Sequence, residues 1–316
     1  CKTPIVGASM SMLGDADDQA SAWLWMEYLS QPAILADWTY KTEGTLLPPL
    51  NSLLEGPEIV KEKPVLQGFI DLMKCGVELP SRLVDVSHLP GLSDVIVDGD
   101  AIRIGSLAKM SAVADQDTIR SIAPAISESL WRAASAQLRN MASIGGNLMQ
   151  RTRCTYFRDP AGYANCNKRL PGSGCAALDG LNRNHAILGA SDACIATYPG
   201  DLAVALVAFD ATVRIRGEAE RSVLVDAFYR LPGDRPDLEH DLAAGEMIIG
   251  IEIPVTPALR RSHYLKARDR ASYEFAAASA AVGLDLEEDG RTIREARVAL
   301  GGVATKPWRA RAVEEA

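Results

Sequence analysis

The sequence predicts an α+β fold in two parts, and three observations carry that reading. Short strand and helix patterns mix through residues 63–217, as expected where helices pack on a sheet. From residue 218 the patterns become strands in succession, "MIIGIEIPV", "SHYLKARDR", "AAASAAVGLDLEEDG" and "TIREARVALGGV", before a helix begins in "KPWRARAVEEA". That order suits a small antiparallel sheet with a helix on one face. The length of 316 residues suits about two domains of roughly 150 residues each.

The elements follow in order. Residues 1–62 are left unassigned: "SAWLWMEYLS" has helical character around Trp25, Met26 and Tyr28, but "TLLPPLNSLLEGP" is broken repeatedly by Pro and Gly. "VLQGFIDLMKCG" reads as a helix stopped at Gly76. "RLVDV" and "AIRIG" read as short strands with "DGD" as the turn before the second. "TIRSIAPAISESLWRAAS" reads as helix on both sides of Pro124. "DACIATY" reads as a buried strand, and "DLAVALVAFDA" as a helix running into the strand "TVRIRG". "EEDG" is a hairpin turn. The start lacks Met and the end stops inside a helical pattern, so both ends read as fragment edges and the C-terminal part as truncated.

Composition narrows the partners. A net charge of −8 disfavours nucleic acid and anionic lipid. No apolar run approaches the ~20 residues of a bilayer span, so membrane insertion is not expected. Hydrophobic content of 47% and charged content of 23% are ordinary for a globular chain.

Two segments carry chemistry. In "SAQLRNMASIGGNLMQ" a helix is expected to end near Asn140, with Ser143, Ile144, Gly145, Gly146 and Asn147 forming a tight loop. Adjacent glycines let backbone N–H groups approach a ligand, and consecutive N–H groups form an anion nest. Ser143 and Asn147 add side-chain hydrogen bonds. An ordinary turn is the competing reading, since the segment is neither GxGxxG nor a P-loop. The second segment holds four of the six cysteines: Cys154, Cys166, Cys175 and Cys194, separated by eleven, eight and eighteen residues. No sign of secretion favours disulfides. No close CxxC pair favours structural zinc. Free buried thiols are not expected to gather in a Gly/Pro-rich polar stretch. Four thiolates on irregular loops suit an iron–sulfur cubane, and spacing alone leaves cluster and zinc even. Arg151, Arg153, Arg158, Lys168 and Arg169 supply positive charge beside such an anionic centre. His185 is assigned a hydrogen-bonding or surface role, and Cys75 a core position in its helix.

"QLRNMASIGGN" resembles the second flavin-binding motif of the xanthine dehydrogenase, or molybdenum hydroxylase, flavoproteins. "PSRLVDVSHLPGL", "AIRIGSLAKMSAVA" and "YPGDLAVALVAFDATVRI" resemble the same FAD domain, and "YLKARDRASYEFAAASAAV" and "VALGGVATKPWRARAVEEA" its C-terminal domain. The resemblance spans residues 65–316. It implies a two-part FAD-binding domain of the vanillyl-alcohol-oxidase type over 63–217, then a CO-dehydrogenase-flavoprotein-like C-terminal domain over 218–316. The segment "RTRCTYFRDP" through "SDACIATYPGD" is similar to the flavin subunit of the periplasmic aldehyde oxidoreductases. That likeness implies an inserted loop at 151–195 whose four cysteines hold a [4Fe–4S] cluster. It also implies that Asp201, otherwise read as a helix N-cap, contacts the ribityl or ring end of the flavin, and that Lys266 lies near the ring.

The sequence departs from the family at two places. Gly200 stands where the usual motif has Ser. Of the first glycine-rich flavin loop only Gly68 remains, with Leu66 and Gln67 beside it. The expected function is an electron-transfer flavoprotein subunit of a molybdenum-dependent aldehyde oxidoreductase. Its partners would be a molybdenum-cofactor large subunit, a [2Fe–2S] small subunit and an external electron acceptor. It would lie in the cytoplasm, or in the periplasm by co-export with a Tat-signal partner. The alternatives are a degenerate structural or assembly subunit without FAD, and a zinc-stabilised flavoprotein.

Overall fold

The computed structural model describes residues 85–316. The expected helix at "VLQGFIDLMKCG", most of "RLVDV", the altered first flavin loop, Cys75 and residues 1–62 lie outside the described residues. The first hairpin is β1 (Val95–Asp98) and β2 (Ala101–Gly105), turned at Gly99 with φ +48°. Four helices follow: α1 (Met110–Asp115), α2 (Asp117–Ile122), α3 (Pro124–Arg132) and α4 (Ala136–Met141). Pro124 sits in the first turn of α3, where its missing N–H costs nothing, so helix lies on both sides of it as expected. The Ser135 side chain caps α4 by accepting from the Leu138 N–H.

The short helices α5 (Ile144–Leu148) and α6 (Thr155–Arg158) precede the long cysteine segment. Helix α7 (Leu202–Ala208) is buried along its whole length, as its apolar composition on every face requires. Then come β3 (Thr212–Arg216), β4 (Glu220–Leu224), α8 (Val225–Phe228) and β5 (Met247–Pro254). Last are α9 (Pro257–Arg260), β6 (Ser262–Ala267), β7 (Ala278–Leu286), β8 (Ile293–Gly301), β9 (Trp308–Arg309) and α10 (Arg311–Glu314).

These strands form two antiparallel sheets, β1-β2-β5-β3-β4 and β6-β7-β8-β9. The expected division at 217/218 cuts the β3–β4 hairpin of the first sheet. The strand Met247–Pro254, expected in the C-terminal part, is instead the middle strand of that sheet and pairs with both β2 and β3. Its alternating apolar residues, among them Ile251 and Ile253, belong to one core that runs from Ile102 and Ile104 through α7 to Tyr264, Ala281 and Ala299. The second sheet therefore shares its core with the first. Arg309 on β9 reaches across to the C-terminal end of α7, donating to the Val207 carbonyl at 2.6 Å, a cation placed where the last carbonyls lack partners.

Two further local expectations change. "DACIATY" is extended but belongs to no strand: Ser191 and Cys194 close a tight turn, and its bonds go singly to Ala186 and Ala304. Segment 143–147 is the start of a helix, with Ser143 as its N-cap.

Candidate functional site

The glycine segment packs back onto its own chain. The Ile144 N–H donates to Ala108 O at 2.9 Å, Gly145 N–H to Ser106 O at 2.8 Å and Asn147 N–H to Ser143 O at 2.9 Å. The Gly146 N–H donates to Ser143 Oγ at 3.2 Å. The four N–H groups of the expected nest thus have partners within the chain. Gly145 is required for that packing, because a Cβ there would lie 3.0 Å from Ser106 Cβ and 3.1 Å from Ser106 O. One atom of the segment keeps binding capacity. Gly146 is exposed, and the buried Asn147 Oδ1 has no hydrogen-bond partner, an arrangement that is costly unless a ligand completes it.

Asp201 does not cap its helix. Its carboxylate accepts from Tyr264 Oη at 2.7 Å and from Lys266 Nζ at 2.8 Å. Lys266 also donates to Arg132 O at 3.1 Å. The two expected flavin contacts are therefore paired with each other, at 5% and 8% exposure. Burial pushes the Asp201 carboxyl above its ordinary value, and the Lys266 charge opposes that push. Beside them, Gly200 explains one departure from the family motif. A Cβ at 200 would lie 2.6 Å from the Tyr198 hydroxyl, which is fixed by a 2.8 Å hydrogen bond with Tyr229.

The four cysteines fall in one largely irregular segment. Cys166 and Cys175 face each other across a bridge, where Asn167 N–H donates to Gly174 O at 2.7 Å and Ala176 N–H to Asn165 O at 3.1 Å. The turn between them uses Gly172 and Gly174 at φ +83° and +91°, a region glycine enters freely. Cys154 and Cys194 both feel the charges of Cys166 and Cys175. Burial raises both thiols above their ordinary value; backbone N–H groups of Phe157 and Tyr156 pull Cys154 down, and those of Ala196 with the Lys168 charge pull Cys194 down. Cys154 Sγ lies 3.2 Å from His185 Nε2. All four cysteines are free thiols.

Among the described residues no three Cys, His, Asp or Glu side chains converge on a single ion. The expected cluster or zinc ion thus has no closed donor set among the described residues.

The basic residues expected to neutralise that group mostly staple its loop. Arg169 donates to Tyr156 O at 2.6 Å and Phe157 O at 2.8 Å, and also reaches Tyr163 O. Arg158 holds Thr152 O at 2.8 Å. Arg151 and Lys168 pair with Glu239. Their positive charges still accumulate: burial, then the Arg153 and Arg151 charges, depress the Arg158 guanidinium.

A cleft of about 750 Å³ opens between the cysteine segment and the second sheet. Its lining includes Arg153, Cys154 and His185 from the cysteine segment, Arg268, Ser279 and Gly302 from the second sheet and the loops beside it, and Gly200. Arg153 covers the Phe275 ring at 5.2 Å. Residues 143–147, Asp201 and Lys266 do not line this cleft. Sequence reasoning missed Arg153 and Arg268 as lining residues, because only the fold brings them to one cleft.

Comparison with known proteins agrees with this architecture. The model described as the FAD binding domain in molybdopterin dehydrogenase matches residues 66–256, and that of the CO dehydrogenase flavoprotein C-terminal domain matches residues 262–316. The chain is 43% identical over 283 residues to the aldehyde oxidoreductase FAD-binding subunit PaoB of Escherichia coli (strain K12), covering 88% of this chain and 85% of that one. That coverage reaches upstream of residue 66, into the stretch left unassigned above. The glyceraldehyde dehydrogenase medium chain of Sulfolobus acidocaldarius is 26% identical, over 83% of this chain and 74% of its own. Among solved structures, CO dehydrogenase from Oligotropha carboxidovorans shares the fold with a TM-score of 0.53 at 21% identity, over 79% of this chain and 69% of its own. Both matched domains, in the order the two sheets follow, place the chain among the FAD-binding medium subunits of the molybdenum hydroxylase family.

Proposed function

We propose that this chain is the FAD- and [4Fe–4S]-bearing subunit of a molybdenum-dependent aldehyde oxidoreductase. It would take electrons from [2Fe–2S] centres on a small subunit and deliver them to an external acceptor, while a large subunit oxidises the aldehyde at its molybdenum cofactor. The observation that carries the reading is the cleft lined by Cys154 and His185 together with residues of the second sheet. It sets a cavity large enough for a flavin ring directly against the cysteine segment. The aldehyde class is supported by the names of the Escherichia coli and Sulfolobus relatives.

FAD supplies the conversion between single-electron and two-electron transfer. Arg153, Arg183 and Arg268 outnumber Asp269 and Glu274 along the cleft, a balance that favours an anionic ligand. Gly146 and Asn147 offer an exposed backbone edge and an unpartnered amide oxygen, and Ser143 shapes that edge by capping α5. Asp201 and Lys266 hold each other, and so act on a flavin by fixing the backbone at Gly200 rather than by direct contact. Cys154, Cys166, Cys175 and Cys194 are the proposed cluster ligands. The same chain could reside in the cytoplasm or be carried to the periplasm by an exported partner; no helix among the described residues is long and apolar enough to cross a membrane.

Anaerobically purified protein should show a flavin spectrum and FAD near one per chain, with about four irons and four sulfides. Stoichiometric zinc without iron would favour the zinc-stabilised flavoprotein. Absence of both flavin and metal from a folded complex would favour the structural subunit.

A further inference from the structure

We propose that Cys166 and Cys175 are a redox-active dithiol, a site of reversible disulfide formation in the metal-free chain. The proposal does not rest on the cluster reading. The register of the bridge between them carries it. Cys166 pairs with Cys175 antiparallel. The bonds that flank the pair run from Asn167 N–H to Gly174 O at 2.7 Å and from Ala176 N–H to Asn165 O at 3.1 Å. The two cysteines therefore occupy a non-hydrogen-bonded site. At such a site facing Cα atoms stand about 4.5 Å apart with both side chains on one face, and a disulfide spans Cα separations of about 4.4–6.8 Å. The turn is also held without the sulfurs: Cys166 N–H donates to Ser173 Oγ at 3.0 Å and Gly174 N–H to Asn167 Oδ1 at 2.8 Å. Asn167 Nδ2 ties it to the rest of the segment by donating to Ala193 O at 3.0 Å. Among the described residues no bridge joins Cys154 or Cys194 to another cysteine: Cys194 faces Ser191, and Cys154 is the N-cap of α6.

The reaction balances with a low-molecular-weight disulfide as oxidant. Both thiols are free, Cys166 buried and Cys175 half-buried, so Cys175 is the one open to an external reagent. Its thiolate attacks one sulfur of the external disulfide; a mixed S–S bond forms, the external S–S bond breaks and one thiolate leaves. The Cys166 thiolate then attacks Cys175 Sγ and expels the second. The two protein thiols lose two electrons and two protons, and the external disulfide gains both to become two thiols. Only eight residues separate the cysteines, and Gly172 and Gly174 already hold the turn at positive φ, so closure orders little further chain. The site needs no oxidising compartment, since disulfides formed where thiols are kept reduced are transient and redox-sensing. Closing the pair withdraws both sulfurs from any other partner.

The test uses the full chain, freed of metal by a chelator under thiol reductant, desalted anaerobically and incubated with glutathione disulfide in native buffer. Remaining thiols are alkylated, and the unreduced protein is digested and mapped by mass spectrometry. Trypsin cuts after Arg158, Arg169 and Arg183, which puts each of the four cysteines on its own peptide. The expected result is the loss of two of the six thiols to one link between Cys166 and Cys175, with Cys154 and Cys194 alkylated. The same incubation in guanidinium should close the pair more slowly, because the facing positions are then lost. Cys175→Ser should abolish the loss of two thiols. A main product that links Cys154 or Cys194 overturns the proposal, as do glutathione adducts without an internal link or six alkylated cysteines. Equal closure rates in native buffer and guanidinium also overturn it, since nearness in sequence would then suffice.

Discussion

At the scale of single residues, the two adjacent glycines at 145 and 146 separate into different tasks. Gly145 lies against the Ser106 backbone, whereas a Cβ on Gly146 meets only the Ser143 hydroxyl at 3.1 Å. Gly145→Ala should therefore lower stability by about 1–3 kcal/mol, the range for overpacking a tight contact, and Gly146→Ala by much less. Thermal melts of the two variants check this, and an equal loss would mean that Ser106 yields. The Asp201–Lys266 pair makes a second residue-scale prediction. Lys266→Met leaves a buried carboxylate beside Tyr264, and breaking such a pair costs about 3–5 kcal/mol. The double variant D201N/K266M should recover much of that loss, because an amide still accepts from Tyr264 without a charge. Denaturant midpoints for the single and double variants decide it. Sequence reasoning found both residues but not their partnership, since nothing in "PGDLA" or "YLKAR" says that one strand will bring them within 2.8 Å.

At the scale of elements, the strongest surface pairing joins β4 to the loop before β5. Arg221 donates to both Glu246 oxygens, at 2.7 and 2.8 Å, and to Asp241 at 2.9 Å. These bonds, chiefly Arg221, hold the Glu246 carboxyl down at about 2, against an ordinary 4.5. A carboxyl depressed by folding contributes stability above its unfolded value and loses it as pH falls through the folded one. The melting temperature should thus decline between about pH 4.5 and 2, and Glu246→Gln should flatten that decline. A pH series of melts on both proteins tests this; identical slopes would locate the acid sensitivity elsewhere. The elements most legible in the sequence were those whose signals are local. Pro124 marked the α2–α3 junction, the unbroken apolar run marked α7, and alternation marked β5 to β8. "DACIATY" misled because its alternation is real, with Cys194, Ala196 and Tyr198 buried, while no neighbouring strand was present to pair with it.

At the scale of the whole molecule, the division at 217/218 failed for a related reason. Strand pairing between distant segments leaves no trace in either segment, so β5 read as the opening of a new sheet although it completes the first. A fragment of residues 85–217 should lack a cooperative melt, because β2 and β3 are neighbours only through β5. Extension to residue 256 should improve folding, and circular dichroism on the two fragments tests it. The four cysteines stood out as a group from spacing and loop composition alone. The cleft was not, since its lining comes from segments far apart in the chain.

The position of β5 also governs when the protein can fold. Arg103 on β2 and Glu252 on β5 are bonded across 149 residues. Contacts of such separation slow folding, because the intervening chain must be ordered before they form. On the ribosome, all four cysteines emerge before the strand that closes the first sheet. The cysteine segment is thus synthesised while its scaffold is still open, and it gains its final packing only when residue 254 leaves the exit tunnel and the sheet zips shut.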